Sequence, residues 1–161
     1  MSKISIIYAS KHGTTEKVAH AIAEKLSQTS EVELFSLKQN LNPDISRFET
    51  VILGTSIYMG QPSEKMKAFC KVNDSALLQK KTGLFVCGMH PEKEQQEKEL
   101  KDAFSETLRE KATATTFMGG EFLFDKMNFF ERFIAKIVGK TNHSVHRIDW
   151  NAVDGFVGAI Q

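Results

Sequence analysis

The chain has 161 residues, 41% of them in the hydrophobic set and 25% charged, about one domain's worth of sequence with enough apolar side chains for a real core. Lys and Arg number 21 against 20 Asp and Glu, a formal net charge of +1, which argues against the broad basic surface of a dedicated nucleic-acid binder. Three Pro, 10 Gly and two Cys exclude a collagen-like or disordered chain and a disulfide scaffold, and fit a reduced cytosolic setting.

Ile4 to Ala9 is a short apolar run rich in β-branched residues, and it predicts a buried first strand. It is too short for a signal-peptide core and soon meets Lys11 and His12. From Thr14 onward Val18, Ile22 and Leu26 recur at helical spacing. Val32 to Leu37 predicts a second strand, and Asn40 to Asp44 is loop chemistry. Val51 to Ile57 is a third strand. Pro62 suits the first turn of a helix whose inner face carries Met66, Phe69 and Cys70.

Gly83 to Cys87 is a fourth strand. Glu92 to Lys111 predicts one charged, solvated helix with Leu100, Ala103, Phe104 and Leu108 on a single stripe, and Glu94/Lys98 and Glu97/Lys101 as i,i+4 pairs. Thr113 to Met118 is a fifth strand. Asn128 to Val138 is an apolar helix candidate, and Asp149 caps a last helix that turns Val153, Phe156, Val157 and Ile160 inward. No stretch approaches the roughly 20 apolar residues that span a bilayer.

This alternation predicts an α/β fold: a single domain over residues 1–161, with a doubly wound five-stranded parallel sheet of order 2-1-3-4-5 and helices on both faces. Ligands in such sheets sit beyond the carboxyl ends of the strands, at the switch point between strands 1 and 3. Three segments fall there. Ser10-Lys11-His12-Gly13-Thr14-Thr15 joins strand to helix, with three hydroxyls, a glycine and a helix N-terminus. It reads either as a cradle for a phosphate monoester or as an ordinary helix cap. It matches neither the Walker A pattern nor GxGxxG. Ala9 and Ser10 stand where a receiver domain needs acidic metal ligands. Thr55-Ser56-Ile57-Tyr58-Met59-Gly60 follows strand 3, where Tyr58 either stacks on a flat ring or packs on the surface. Cys87-Gly88-Met89, before His90 and Pro91, is a turn whose N–H groups could reach the polar edge of such a ring.

Tyr8 to Thr15 resembles the phosphate-loop signature of the flavodoxins: a hydroxyl residue, two variable positions, Gly, a polar residue and a hydroxyl residue. The resemblance implies non-covalent FMN, its phosphate held by Ser10, His12, Gly13, Thr14 and Thr15 with Lys11 adding positive charge. Thr55, Ser56, Ile57, Tyr58, Met59 and Gly60 would flank the ring, with Cys87, Gly88 and Met89 on its other side. Gly54 to Gly60, Gly119-Gly120, Phe129 to Val138 and Asp149-Trp150 are similar, in that order, to the menaquinone-dependent protoporphyrinogen oxidase subfamily. That likeness implies an FMN oxidoreductase linked to heme biosynthesis, passing electrons from a reduced substrate to a quinone or similar acceptor. An electron-carrier flavodoxin without a substrate of its own is the alternative. Such carriers are usually strongly acidic, and this chain is not. No acid, base or metal site is assigned.

The aromatic usage is lopsided, with 12 Phe against 2 Tyr and 1 Trp. Phe35, Phe85 and Phe117 fall on predicted strands and Phe69, Phe104 and Phe156 on inner helix faces, where they read as core. Five of the other six cluster within 122–138. With Arg132, Lys136 and Lys140, residues 127–140 read either as a helix on the sheet or as an apolar and basic surface for a membrane or a redox partner. The expected location is the cytoplasm, with peripheral contact at the inner face of the membrane as the second option. The oligomeric state is left open.

Overall fold

The computed structural model describes residues 1–122 and 145–161. Five parallel strands form its sheet. They are β1 (Lys3–Ala9), β2 (Glu31–Ser36), β3 (Thr50–Tyr58), β5 (Lys81–Cys87) and β6 (Ala114–Phe117), in the order β2-β1-β3-β5-β6. Counting the parallel strands alone, this is the 2-1-3-4-5 order expected from the sequence. A two-residue strand β4 (Gln61–Pro62) pairs antiparallel with the end of β3.

Strand alternation sorts the apolar runs into two layers. Ile6, Ile52 and Phe85 face α1 (Thr14–Leu26) and the last helix α6 (Trp150–Ile160). Ile7, Leu53 and Leu84 face the other layer, built from α2 (Glu64–Val72), α3 (Asp74–Leu77), α4 (Lys93–Ala103) and α5 (Glu106–Lys111). Each fully buried large side chain is worth about 1.5–3 kcal/mol against its exposed state, so the run of such residues in β1, β3 and β5 dictates a central position. Gly54 serves the same packing. A Cβ there would lie 2.1 Å from Phe85 Cζ, so the missing side chain makes the space in which Phe85 meets Phe156 edge-on at 5.9 Å.

Several local expectations are corrected. Pro62 is not in a helix; it ends the short edge strand β4, where its missing N–H is tolerated, and α2 begins two residues later. The charged helix expected over 92–111 is broken at Phe104, whose extended backbone ends α4. Ser105 starts α5 by accepting a hydrogen bond from the Leu108 N–H. Lys98 pairs with Asp102 at 2.7 Å, not with Glu94. Phe35, Phe117 and Cys70 are only partly buried. Asp149 caps α6 as expected, its Oδ1 accepting from the Ala152 N–H at 3.0 Å. The sequence pattern did not anticipate β4, α3, or the antiparallel pair β7 (Gly119–Phe122) and β8 (Val145–Ile148). The proposed 127–140 surface lies outside the described residues. Among the described residues no helix is long and apolar enough to cross a membrane, and no group of His, Cys, Asp and Glu is arranged to hold a metal ion.

Candidate functional site

The carboxyl ends of β1, β3 and β5 lie side by side, and the three segments singled out in the sequence leave the sheet there. The β1–α1 loop turns at Gly13, whose φ of 98° and ψ of −6° are left-handed, a conformation that a side chain would strain. A left-handed residue followed by a helical one aims successive N–H groups at a common point. The first N–H groups of α1 have no intrahelical acceptor, and the helix dipole adds partial positive charge. Ser10 Oγ braces this turn by accepting from the Gly13 N–H at 3.0 Å and the Glu16 N–H at 3.4 Å. Its own O–H is left to donate.

The two threonines differ. Thr14 Oγ1 donates to Glu121 Oε1 at 3.3 Å. Thr15 is fully buried, and the polar group beside its hydroxyl is the Cys87 thiol. Lys11 Nζ lies 4.6 Å from the centre of the Tyr58 ring, and the His12 ring meets Tyr58 edge-on at 6.3 Å. The phosphate-loop candidates and the strand-3 tyrosine are therefore brought together. A cleft of about 260 Å³ opens beside the loop, with Ser10, His12, Ser36 and Lys38 in its wall. Tyr8, also in that wall, donates to Glu16 Oε1 at 3.2 Å. Burial, reinforced by the Glu16 carboxylate, raises its phenol above the ordinary value.

The second segment is a tight hairpin. Met59 (φ 50°) and Gly60 (φ 75°) both have positive φ, the signature of a two-residue turn between twisted strands. Met59 bears that strain exposed at the rim. Thr55 is buried and spends its hydroxyl internally, donating to the Ser56 carbonyl at 3.3 Å and accepting from the Ser63 N–H at 3.2 Å. Ser56, Ile57 and Tyr58 are half-buried.

The third segment is the most enclosed. Cys87 and Gly88 are buried, and Met89 is partly exposed. The Gly88 N–H donates to the Gly119 carbonyl at 2.9 Å, and Gly120 lies so close that a Cβ there would be 2.9 Å from the Gly88 oxygen. Burial pushes the Cys87 thiol up to about 12 and the Cys70 thiol likewise to about 12, which disfavours the reactive thiolate. On the other side of Gly88 stands Glu99, 4% exposed. Its Oε2 lies 3.0 Å from where a Gly88 Cβ would be and has no hydrogen-bond partner.

Sequence reasoning missed two carboxylates. Glu99 lies in the stretch that the sequence predicts as a solvated helix; its spacing of four from the buried Ala103 is the available signal. Glu121 carried no local signal. Its side chain is 2% exposed and pairs with Lys17 Nζ at 3.3 Å and with His146 Nδ1, contacts that span 104 and 25 residues. Burial disfavours its charge, but His146 and Lys17 outweigh this and hold the carboxyl below the usual range.

The sequence model of the flavodoxin domain matches residues 5–148. The chain belongs to the flavodoxin domain family. Among solved structures, oxidised flavodoxin 1 from Bacillus cereus is 25% identical, with a TM-score of 0.56 over 73% of this chain and 82% of that one. A flavodoxin from Streptococcus pneumoniae shares the fold at 18% identity and a TM-score of 0.60, covering 99% and 97%. An NADH:FMN oxidoreductase in its apo form does so at 16% and 0.58, covering 100% and 91%. No curated protein sequence matches. In this flavodoxin-domain chain, the Gly13 turn, Tyr58 and the Gly88 turn all lie at the switch-point edge.

Proposed function

We propose that the chain is an FMN-dependent oxidoreductase resembling menaquinone-dependent protoporphyrinogen oxidase, with electrons entering from a reduced substrate and leaving to a quinone or similar acceptor. The carrying observation is the left-handed Gly13 turn at the start of α1, braced by Ser10 and lying beside Tyr58. Converging N–H groups at a helix start favour an anion. This donor set fits a phosphate monoester. Ser10, Lys11, His12, Gly13, Thr14 and Thr15 would surround the phosphate; residues 55–60 and Cys87, Gly88 and Met89 would flank the ring. FMN, when bound, supplies the redox chemistry; the protein supplies position and electrostatics.

The oxidase assignment rests on the similarity of Gly54 to Gly60, Gly119-Gly120 and Asp149-Trp150, and on a net charge of +1, which gives no acidic field for docking basic carriers. The 25% identity to the Bacillus cereus flavodoxin favours the second reading, an electron carrier. Titration with FMN followed by flavin fluorescence tests the shared premise, and no binding at tens of micromolar refutes it. Oxidation of protoporphyrinogen with a menaquinone analogue separates the readings. Turnover supports the oxidase; electron transfer only with a flavodoxin reductase supports the carrier. Quinone use and membrane contact through 127–140 predict co-sedimentation with liposomes that Phe129→Ser/Phe133→Ser abolishes.

A further inference from the structure

We propose that Glu99 is the proton-holding partner of this site: its carboxyl, behind the Gly88 turn, takes up a proton from solvent when negative charge is added at the ring-binding edge and releases it when that charge leaves. The inference rests on the FMN reading above and adds the residue that compensates charge. Glu99 acts across Gly88 and is a positioning residue, not a catalytic one.

The geometry is specific. Glu99 lies on α4, which packs against β4, β5 and β6, between the hairpin that follows β3 and the turn that follows β5. Its Oε2 has no hydrogen-bond partner and rests on Gly88, as does the Phe117 ring, whose Cζ lies 3.1 Å from the same would-be Cβ position. A buried carboxylate oxygen with no hydrogen-bond partner beside an aromatic ring favours the protonated acid over the charged form. Burial accordingly raises the Glu99 carboxyl, with His90 and Lys98 opposing and Asp102 reinforcing. Those three are the charged or titratable neighbours that act on it. β4 and β6 carry no ionisable residue; β5 carries Cys87 next to Gly88, its thiol pushed up to about 12 by burial, and Lys81 at the far end, bonded to the Ile160 carbonyl.

The Gly88 turn also carries His90, whose charge acts on Glu99. His90 is partly exposed on the turn and is held there by Gln96 Nε2, which donates to the His90 carbonyl at 2.7 Å, and by the Glu92 N–H, which donates to Nδ1 at 3.2 Å. The exchange balances. The proton comes from solvent to the Glu99 carboxyl as the electron delivered by the reduced substrate raises the carboxyl's proton affinity, and it returns to solvent when the electron leaves.

The test is a carboxyl-carbon NMR titration of the full chain: free, with FMN, and with FMN reduced by dithionite. Glu99 should titrate above the ordinary glutamate value of about 4.3 in the free chain, and higher still after reduction. In parallel, the midpoint potential of the bound flavin should fall more steeply with pH in wild type than in Glu99→Gln, which keeps the shape and cannot ionise. If Glu99→Gln fails to fold, the wild-type titration decides alone. Absence of FMN binding overturns this proposal together with the FMN reading. FMN binding with a Glu99 midpoint that is ordinary, or unchanged by reduction, overturns this proposal only.

Discussion

The two ends of the carboxyl edge are built in opposite ways. At the Gly13 end the backbone does most of the work, with a left-handed glycine, the start of α1 and a serine bracing the turn, while Lys11, His12 and Lys38 stand open to solvent or nearly so. At the Gly88 end the backbone is enclosed by other parts of the chain: Gly119 and Gly120 on one side, Phe117 and Glu99 on the other. The first end is a local structure that attracts negative charge. The second is a tertiary structure that excludes water and penalises charge. A ligand with an anionic tail and a flat, redox-active head needs both.

The largest expected contrast is in thiol reactivity. Cys87 at the enclosed end, with its thiol near 12, should react with a disulfide reagent at pH 8 on the order of a thousandfold more slowly than a free cysteine, from thiolate fraction alone. Ser10→Cys places a thiol at the open, electropositive end and should react at least as fast as a free one. Similar rates for the two would remove the distinction between the ends.

Ser10→Ala should weaken FMN roughly tenfold to a hundredfold, since a hydrogen bond to a charged group is worth about 1.5–3 kcal/mol. Riboflavin affinity, measured in the same way, should hardly change. Gly120→Ala tests the enclosed end. The added Cβ meets the Gly88 backbone and should lower stability by about 1–3 kcal/mol in urea unfolding, while leaving the FMN-to-riboflavin ratio unchanged.

Glu99→Gln gives a pH-dependent difference. A carboxyl raised in the folded state contributes stability that is full below its unfolded pKa and is lost as pH rises through the folded one. Each tenfold difference in proton affinity is worth about 1.4 kcal/mol. Urea unfolding of the free chain should therefore show Glu99→Gln gaining on wild type from pH 4 toward pH 8. The smallest effect is expected for Thr14→Ala. Its hydroxyl bonds Glu121, so the loss should be about 0.5–1.5 kcal/mol of stability, with a smaller change in the FMN-to-riboflavin ratio than Thr15→Ala produces.

The sequence by itself determined the parallel sheet, because short apolar runs rich in β-branched residues, such as Ile4 to Ala9 and Val51 to Ile57, alternate with helical patterns and read as buried central strands. It also determined where the β1–α1 loop would turn, because Gly13 and the hydroxyls around it act over a few residues. Tertiary structure alone decided which carboxylates matter. Glu99 and Glu121 look like ordinary surface residues in the sequence, and they are buried by contacts with Gly88, Thr14, Lys17 and His146. Pro62 shows the same limit: its preference for a helix start was overridden by pairing with Ile57. Backbone preference acts between neighbours in the chain and can be read along it. Desolvation is imposed by residues distant in sequence and is fixed only when the layers close.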